Sequence, residues 1–442
     1  MSKKSPRSPA KSKKPNEVSS PNIEGDDQEI FEYGLKLFNE GGPNNKKEAI
    51  RNIKLAADKG NSDAMLKYGL ILQSGDGVLA NKKKSEEYIK KAADSANYDA
   101  MYEYGRICEE KGDVGSMLSA QIYYVKAAAD KNPEHCYRCA LLFQKNSRGQ
   151  DNSSEQAENY YKIAADQDYL PAILNYGLLL KKRNKKEAAK YFKSGAEKGD
   201  EKCMFHYANA LWNGEGCSMD KEEAVKYYKM AADKGEIESM VKYGNALENG
   251  EGTAADKKAA FKYYKRAAEA GQSDGMVCYG LLLSSGEIEG VSADKKTALN
   301  FFQKAADDGN VAGMHNFARL VLAEGVCGER RDEARTYLKT AVDKEYPPSL
   351  VLYSSLFLNK KDPNYNQNEG VEYLKKAAEL GDENAQKIYN DFLETGNMKM
   401  PETFANEKSI SHHSSRSVHN QSAPTTSREE NNKNSSKCCL IA

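Results

Sequence analysis

The chain has 442 residues, and its 65 Lys plus Arg balance its 65 Asp plus Glu, so the formal net charge is zero. A neutral chain exerts no bulk pull on nucleic acid, and a hydrophobic content of 39% is low for one large globular core. No run of 18 or more apolar residues is present, so no segment has the character of a transmembrane helix.

Residues 1–28 read as a disordered basic arm. Lys3, Lys4, Arg7, Lys11, Lys13 and Lys14 all precede the first acidic residue, Glu17, and Ser5-Pro6, Ser8-Pro9 and Ser20-Pro21 punctuate the stretch. It carries too little apolar surface to order itself. A solvated arm is the plain reading; a segment addressed to a membrane surface or a kinase is the alternative. With no apolar h-region, no secretory signal is expected, and Ser2 in place of glycine excludes N-myristoylation. The nine cysteines are odd in number and scattered, so they are expected to be reduced cytosolic thiols.

From about residue 29 to 395 the chain repeats. The run Ala56-Ala57-Asp58-Lys59-Gly60 returns with its second anchor at Ala93, Ala129, Ala165, Ala196, Ala232, Ala268, Ala306, Val342 and Ala378. The successive spacings are 36, 36, 36, 31, 36, 36, 38, 36 and 36. Such periods mark stacked units that bury a thin slab against each neighbour. Ten units of two helices each are expected, an all-α solenoid.

The sixth unit shows the pattern. Met204, Tyr207, Ala208 and Leu211 fall at i, i+3, i+4 and i+7, one face of a first helix. Gly214-Glu215-Gly216 follows as a reversal. Asp220 then reads as an N-cap, with Glu223 completing a capping box. Ala224, Tyr227, Tyr228, Ala231 and Ala232 line a second helix that Gly235 ends. The short fifth unit loses its residues in the loop, where Lys181-Lys182-Arg183-Asn184 stands.

The composite pattern Ala-Met-x-x-Tyr-Gly-x-x-Leu, Gly-x-Gly, then Asp-Lys-x-x-Ala-x-x-Tyr-Tyr-x-x-Ala-Ala-Asp-x-Gly resembles the Sel-1-like repeat family, a cousin of the tetratricopeptide repeats. The resemblance implies an α-solenoid that serves as an adaptor or scaffold for protein partners. Unit four departs from it at Cys136-Tyr137-Arg138-Cys139-Ala140, and unit nine has Gly325 and Gly328 in place of the tighter Gly-x-Gly.

By analogy with tetratricopeptide arrays, first helices line the binding surface. At about 100° per residue, Phe205, Asn209 and Trp212 cluster beside the core stripe, and Asn245 repeats the position of Asn209 one unit on. An amide there can pair with a bound peptide, and Trp is a frequent hot-spot residue. The competing reading packs Phe205 and Trp212 within their own repeat.

Residues 396–442 are rich in Asn, Ser, His and Thr and end in Lys437-Cys438-Cys439-Leu440-Ile441-Ala442. Cys439, followed by two aliphatics and Ala, matches a prenylation box of farnesyl type, and Cys438 could take palmitate. Two chains anchor stably where one anchors marginally. A repeat array joined to such a box is similar in architecture to the fungal chitin synthase activators, which implies regulation of a membrane enzyme from the cytoplasmic face. A soluble cytosolic adaptor is the alternative.

No catalytic residues, metal ligands, cofactor or small-molecule substrate are expected. Cys136 and Cys139 fall on core positions, and no second cysteine pair completes a zinc site. The Gly-x-Gly loops lack a following Lys-Ser/Thr, so they are not phosphate cradles. His135, His206 and His315 lie in different repeats. A hydrolase-like enzyme, proposed for exported cysteine-rich relatives, is the least favoured reading.

Overall fold

A computed structural model describes residues 26–146, 151–323, 329–358 and 365–395. The expected basic arm, the terminal tail with Cys438 and Cys439, and the loop glycines Gly325 and Gly328 lie outside the described residues, apart from the arm's last few positions. Among the described residues the regular structure is helical, without a strand.

The chain divides into two compact units, residues 1–179 and 180–442. The first holds α1 (Asp27–Glu40), α2 (Pro43–Lys59), α3 (Ser62–Ser74), α4 (Lys82–Asp94), α5 (Tyr98–Lys111), α6 (Val114–Ala127), α7 (Pro133–Asn146), α8 (Asp151–Ala165) and α9 (Leu170–Leu180), whose last residue opens the second unit. The second holds α10 (Lys185–Glu197), α11 (Glu201–Asn213), α12 (Lys221–Lys234), α13 (Ile237–Asn249), α14 (Lys257–Glu269), α15 (Ser273–Ser285), α16 (Lys295–Asp307), α17 (Val311–Ala323), α18 (Glu329–Asp343), α19 (Pro347–Leu358), α20 (Gln367–Glu379) and α21 (Glu383–Thr395). Odd-numbered helices up to α19 are first helices of repeats and even-numbered ones second helices. Each unit is an α-solenoid, and α21 follows the tenth repeat.

Short polar signals start and stop these helices. Asp200 accepts the Cys203 N–H at 2.7 Å and Asp220 the Glu223 N–H at 2.9 Å, satisfying donors that the first turn leaves open. The reciprocal arm expected of a capping box is absent at Asp220. Its backbone N–H donates instead to the Leu211 carbonyl, 3.0 Å away on the preceding helix. The same bond recurs from Asn81 to Leu72, Asp256 to Leu247 and Asp294 to Leu283, so it sets the angle between the two helices of a repeat. Gly235 ends α12 at φ +105°, where its N–H and that of Glu236 reach back to the Ala232 and Ala231 carbonyls. The shortened fifth repeat closes as expected: the Arg183 and Asn184 N–H groups both turn back onto the Leu180 carbonyl.

One anchor moves. The sequence places Ala128 and Ala129 in the third repeat's core, but Ala127 and Ala128 are the buried pair, at 0% and 4% exposure, and Ala129 is exposed. Residues 128–130 wind into a single 3-10 turn that Lys131 closes at φ +60°. The spacing therefore runs 35 and then 37 across this repeat. Three alanines in a row offer no local reason to choose between registers, and packing decides.

Within repeats, the first tyrosine of the second helix meets the first-helix tyrosine edge to face. Tyr68–Tyr88, Tyr104–Tyr123, Tyr207–Tyr227, Tyr243–Tyr263 and Tyr353–Tyr373 all lie 4.7–5.0 Å apart at 79–88°. Each such pair contributes about 0.5–1.5 kcal/mol beyond burial. The tyrosine hydroxyl then reaches the aspartate that ends the previous second helix: Tyr88 to Asp58 at 2.7 Å, Tyr123 to Asp94 at 2.8 Å, Tyr263 to Asp233 at 2.7 Å. The Gly-x-Gly loops complete the stack. A methyl at Gly216 would stand 2.0 Å from the Lys185 carbonyl oxygen, and one at Gly252 would stand 2.4 Å from that of Lys221. The residue between the glycines pairs with that same lysine: Glu215 with Lys185 at 2.9 Å and Glu251 with Lys221 at 2.5 Å.

Candidate functional site

The site is built on α11 and α13 with the second helices behind them. Met204, Tyr207, Ala208 and Leu211 are buried, as the periodicity requires. Phe205, Asn209 and Trp212 are half-buried on the adjoining face. Behind them stands Tyr228 of α12, itself buried, with its ring centroid 6.3 Å from Phe205 and 6.1 Å from Trp212. Ala208, at the position where α13 carries Gly244, keeps the first helix thin opposite that ring. At Gly244 the fit is tighter still, since a methyl there would come within 2.4 Å of the Tyr264 ring.

The buried tyrosine hydroxyls emerge on the first-helix face. Tyr228 donates to Asn209 Oδ1 at 2.9 Å, while Asn209 Nδ2 donates to the Phe205 carbonyl at 2.9 Å. The Tyr264 hydroxyl lies 2.6 Å from Asn245 Oδ1 and 2.8 Å from a Glu248 carboxylate oxygen, two acceptors for one proton. Burial and the acceptors at Glu109 push the related Tyr124 hydroxyl well above its ordinary range, so it stays a donor at physiological pH. The Asn209 carbonyl is thus held by its repeat, and the Asn245 carbonyl shares the Tyr264 proton with Glu248. Asn245 makes no amide N–H bond within the described residues, and Asn209 uses one of its two.

Trp212 has a second contact that the sequence reading lacked. Lys221 Nζ sits 4.8 Å from the centre of its ring and also bonds Glu251 in the next repeat's loop. The ring therefore braces one repeat against the next as well as facing outward. Spacing alone could not show this, because Lys221 reads as an ordinary first-turn residue of a second helix.

Other chemistry-bearing groups are inward. Cys136 and Cys139 are buried at core positions, and burial raises both thiols, Cys136 to about 11, so neither is a ready thiolate. His315 is buried, with Nδ1 3.1 Å from the Ser349 hydroxyl; burial and nearby Arg319 depress it to about 3. His206 is depressed to about 4, first by burial and then by Lys181. His206 lines a cavity of about 10 Å³ with Lys181, Lys185, Phe192 and Glu215, room for one water and no ligand. Among the described residues no group of three or more His, Cys, Asp or Glu is arranged to hold a metal ion. No helix among them is long and apolar enough to cross a membrane.

These features define a class: a stacked helix-pair protein of the tetratricopeptide-like kind. The Sel1 repeat model matches residues 29–61, 62–97, 99–132, 133–169, 172–200, 202–236, 237–272, 274–310 and 360–382, and the chain belongs to the Sel1 repeat family. Residues 311–359, which carry α17, α18 and α19, lie outside the matched segments; they include the ninth repeat, whose loop departs from the pattern. Among solved structures, the chain is similar to c5321, a protective antigen of uropathogenic Escherichia coli with an SLR fold. The two share 21% identity at a TM-score of 0.75, covering 85% of this chain and 83% of that one. A Sel1 repeat protein from Oxalobacter formigenes shares 24% identity at a TM-score of 0.52, over 65% and 86% of the two chains. No curated protein matches the chain.

Proposed function

We propose that this protein is a non-enzymatic scaffold that binds protein partners on the first-helix face around Asn209, Trp212 and Asn245, and that C-terminal lipidation holds it at the cytoplasmic face of a membrane. The repeat fold is consistent with a protein-interaction scaffold, and its family is typically non-enzymatic. The observation that carries the partner-binding half is the pair of tyrosine-held asparagines. Tyr228 fixes the Asn209 carbonyl and Tyr264 stands within hydrogen-bond reach of the Asn245 carbonyl, which places amide N–H groups at equivalent positions in adjacent repeats for the carbonyls of an extended segment. Phe205 and Trp212 flank them with half-buried aromatic surface.

The membrane half rests on the terminal Cys438-Cys439-Leu440-Ile441-Ala442 sequence. Cys439 is the prenyl acceptor in this reading and Cys438 the palmitoyl acceptor. Intact-mass analysis of the C-terminal peptide from a eukaryotic host, with membrane fractionation, tests it. A farnesyl mass on Cys439 and a membrane-bound pool are expected. An unmodified Cys439 on a wholly soluble protein would leave a cytosolic adaptor.

A further inference from the structure

The third repeat breaks the surface rule that the other repeats keep. On α6, Val114, Leu118, Ile122 and Val125 are 80%, 59%, 54% and 36% exposed and follow one another at spacings of 4, 4 and 3. They form one apolar line along the outer side of the helix. Superimposing second helices on their buried anchors puts Lys83, Glu87 and Lys90 of α4 where α6 has Leu118, Ile122 and Val125. On α12 the same places hold Glu222, Lys226 and Lys229, and every other second helix has polar or charged residues at all three. The chain's own repeats thus serve as controls. Folding the array does not require aliphatic residues there, and three of them in one repeat make an unpartnered seam.

We infer that this seam is a homotypic contact: α6 of one copy packs antiparallel against α6 of a second, about a twofold axis between Ile122 and Val125. Leu118, Ile122 and Val125 are spaced 4 and 3 on α6, the stagger at which two helices interlock, and exposed Ala129 follows in the 3-10 turn that ends it. The axis makes the seam self-complementary, with Ile122 against Val125 of the second copy and Leu118 toward the small residues of its closing 3-10 turn.

Charge complementarity selects this occupant and its direction. Helices α4 and α8 flank α6, joined to it by the Tyr123–Asp94 bond at 2.8 Å and by Gln167 Nε2 donating to the Lys131 carbonyl at 2.7 Å. Antiparallel pairing sets α4 against its own copy reversed. Glu87 then meets Lys90, and Lys83 meets Asp94, each pair formed twice. On the other flank Asn159 meets Lys162, and only Glu155 and Asp166 oppose. Parallel pairing would set α4 against α8: Lys83 would meet Glu155, but Lys90 would meet Lys162 and Asp94 would meet Asp166, so repelling pairs outnumber attracting ones.

A few partly exposed aliphatic side chains on one helix fall well short of the ~800 Å² per partner of a standard stable interface. The contact is therefore weak and forms where the chain is concentrated, as on a shared surface.

Sedimentation velocity of the full chain across a concentration series up to the millimolar range tests it, with circular dichroism to verify each variant's fold. Wild type should show reversible dimer. Leu118→Glu with Ile122→Glu should raise the dissociation constant at least ~tenfold. Glu87→Lys and Lys90→Glu should each weaken the dimer several-fold. The double variant exchanges the two charges across the axis and should return to within about twofold of wild type. A chain that stays monomeric throughout, or a double variant no better than the singles, would overturn the proposal. So would a monomer whose seam instead binds anionic vesicles, which would assign the face to a lipid surface.

Discussion

The Tyr228 hydroxyl, rooted in the core of α12, donates across 2.9 Å to Asn209 Oδ1 on the half-buried face of α11. A buried ring and a candidate contact residue are thus one unit, and the same pairing joins Tyr264 to Asn245 in the next repeat. Tyr228→Phe keeps the ring and removes the donor. It should cost about 1 kcal/mol in chemical denaturation and lower partner affinity by releasing the Asn209 amide. A variant with unchanged affinity would show that the held amide plays no part in recognition.

Loop glycines separate by what surrounds them. Gly235 and Gly216 both adopt positive φ, but a methyl at Gly235 meets open space, whereas at Gly216 it meets the Lys185 carbonyl at 2.0 Å. Gly235→Ala should cost about 1–2 kcal/mol and Gly216→Ala about 3 kcal/mol or more. Equal losses in urea melts would mean that the loop does not seat on the preceding repeat.

Core alanines should resist enlargement. Ala232 is fully buried where α12 ends. Ala232→Leu should destabilise the protein by about 1–3 kcal/mol, read as a lower melting temperature. Wild-type melting would contradict the close helix contact assigned there.

Two buried groups give stability opposite pH slopes. Burial lifts the Glu236 carboxyl well above the ordinary carboxylate range, reinforced by its hydrogen bond to Glu238, so the folded state holds a proton that the unfolded chain releases. Its contribution is greatest in acid and declines as pH rises out of the carboxylate range. Lowered to about 3, His315 stays neutral in the fold, so its site loses stability as pH falls below the ordinary histidine value toward 3. Glu236→Gln should therefore stabilise at pH 8 and have little effect near pH 4. An equal gain at both values, measured by denaturant titration, would remove the proton-sharing account.

Much of this fold was legible in the sequence because its signals are local. Asp220, Gly235 and the Gly214–Gly216 reversal act through the nearest turn of backbone, and the 36-residue period repeats them. What escaped depends on depth. Nothing in Ala127-Ala128-Ala129 says which two alanines face inward. Asn209 pairs with a residue 19 positions on, and only the reach of a buried tyrosine brings them together. Spacing leaves Trp212 open between a contact anchor and a packed ring, because the lysine beside it lies on the following helix. The apolar line on α6 was readable in principle, but only by comparing outward positions among repeats, whereas the core stripe announces itself within one.

The most direct test of the central claim compares partner capture by wild type with that by a chain carrying Asn209→Ala, Trp212→Ala and Asn245→Ala. Trp212 also braces Lys221, so the variant's helicity and melting temperature are measured first, with Lys221→Ala as the control that loses the brace alone. Proteins captured by wild type should fall at least ~tenfold with the triple variant and persist with Lys221→Ala. A folded triple variant that captures the same proteins as well as wild type would contradict the claim.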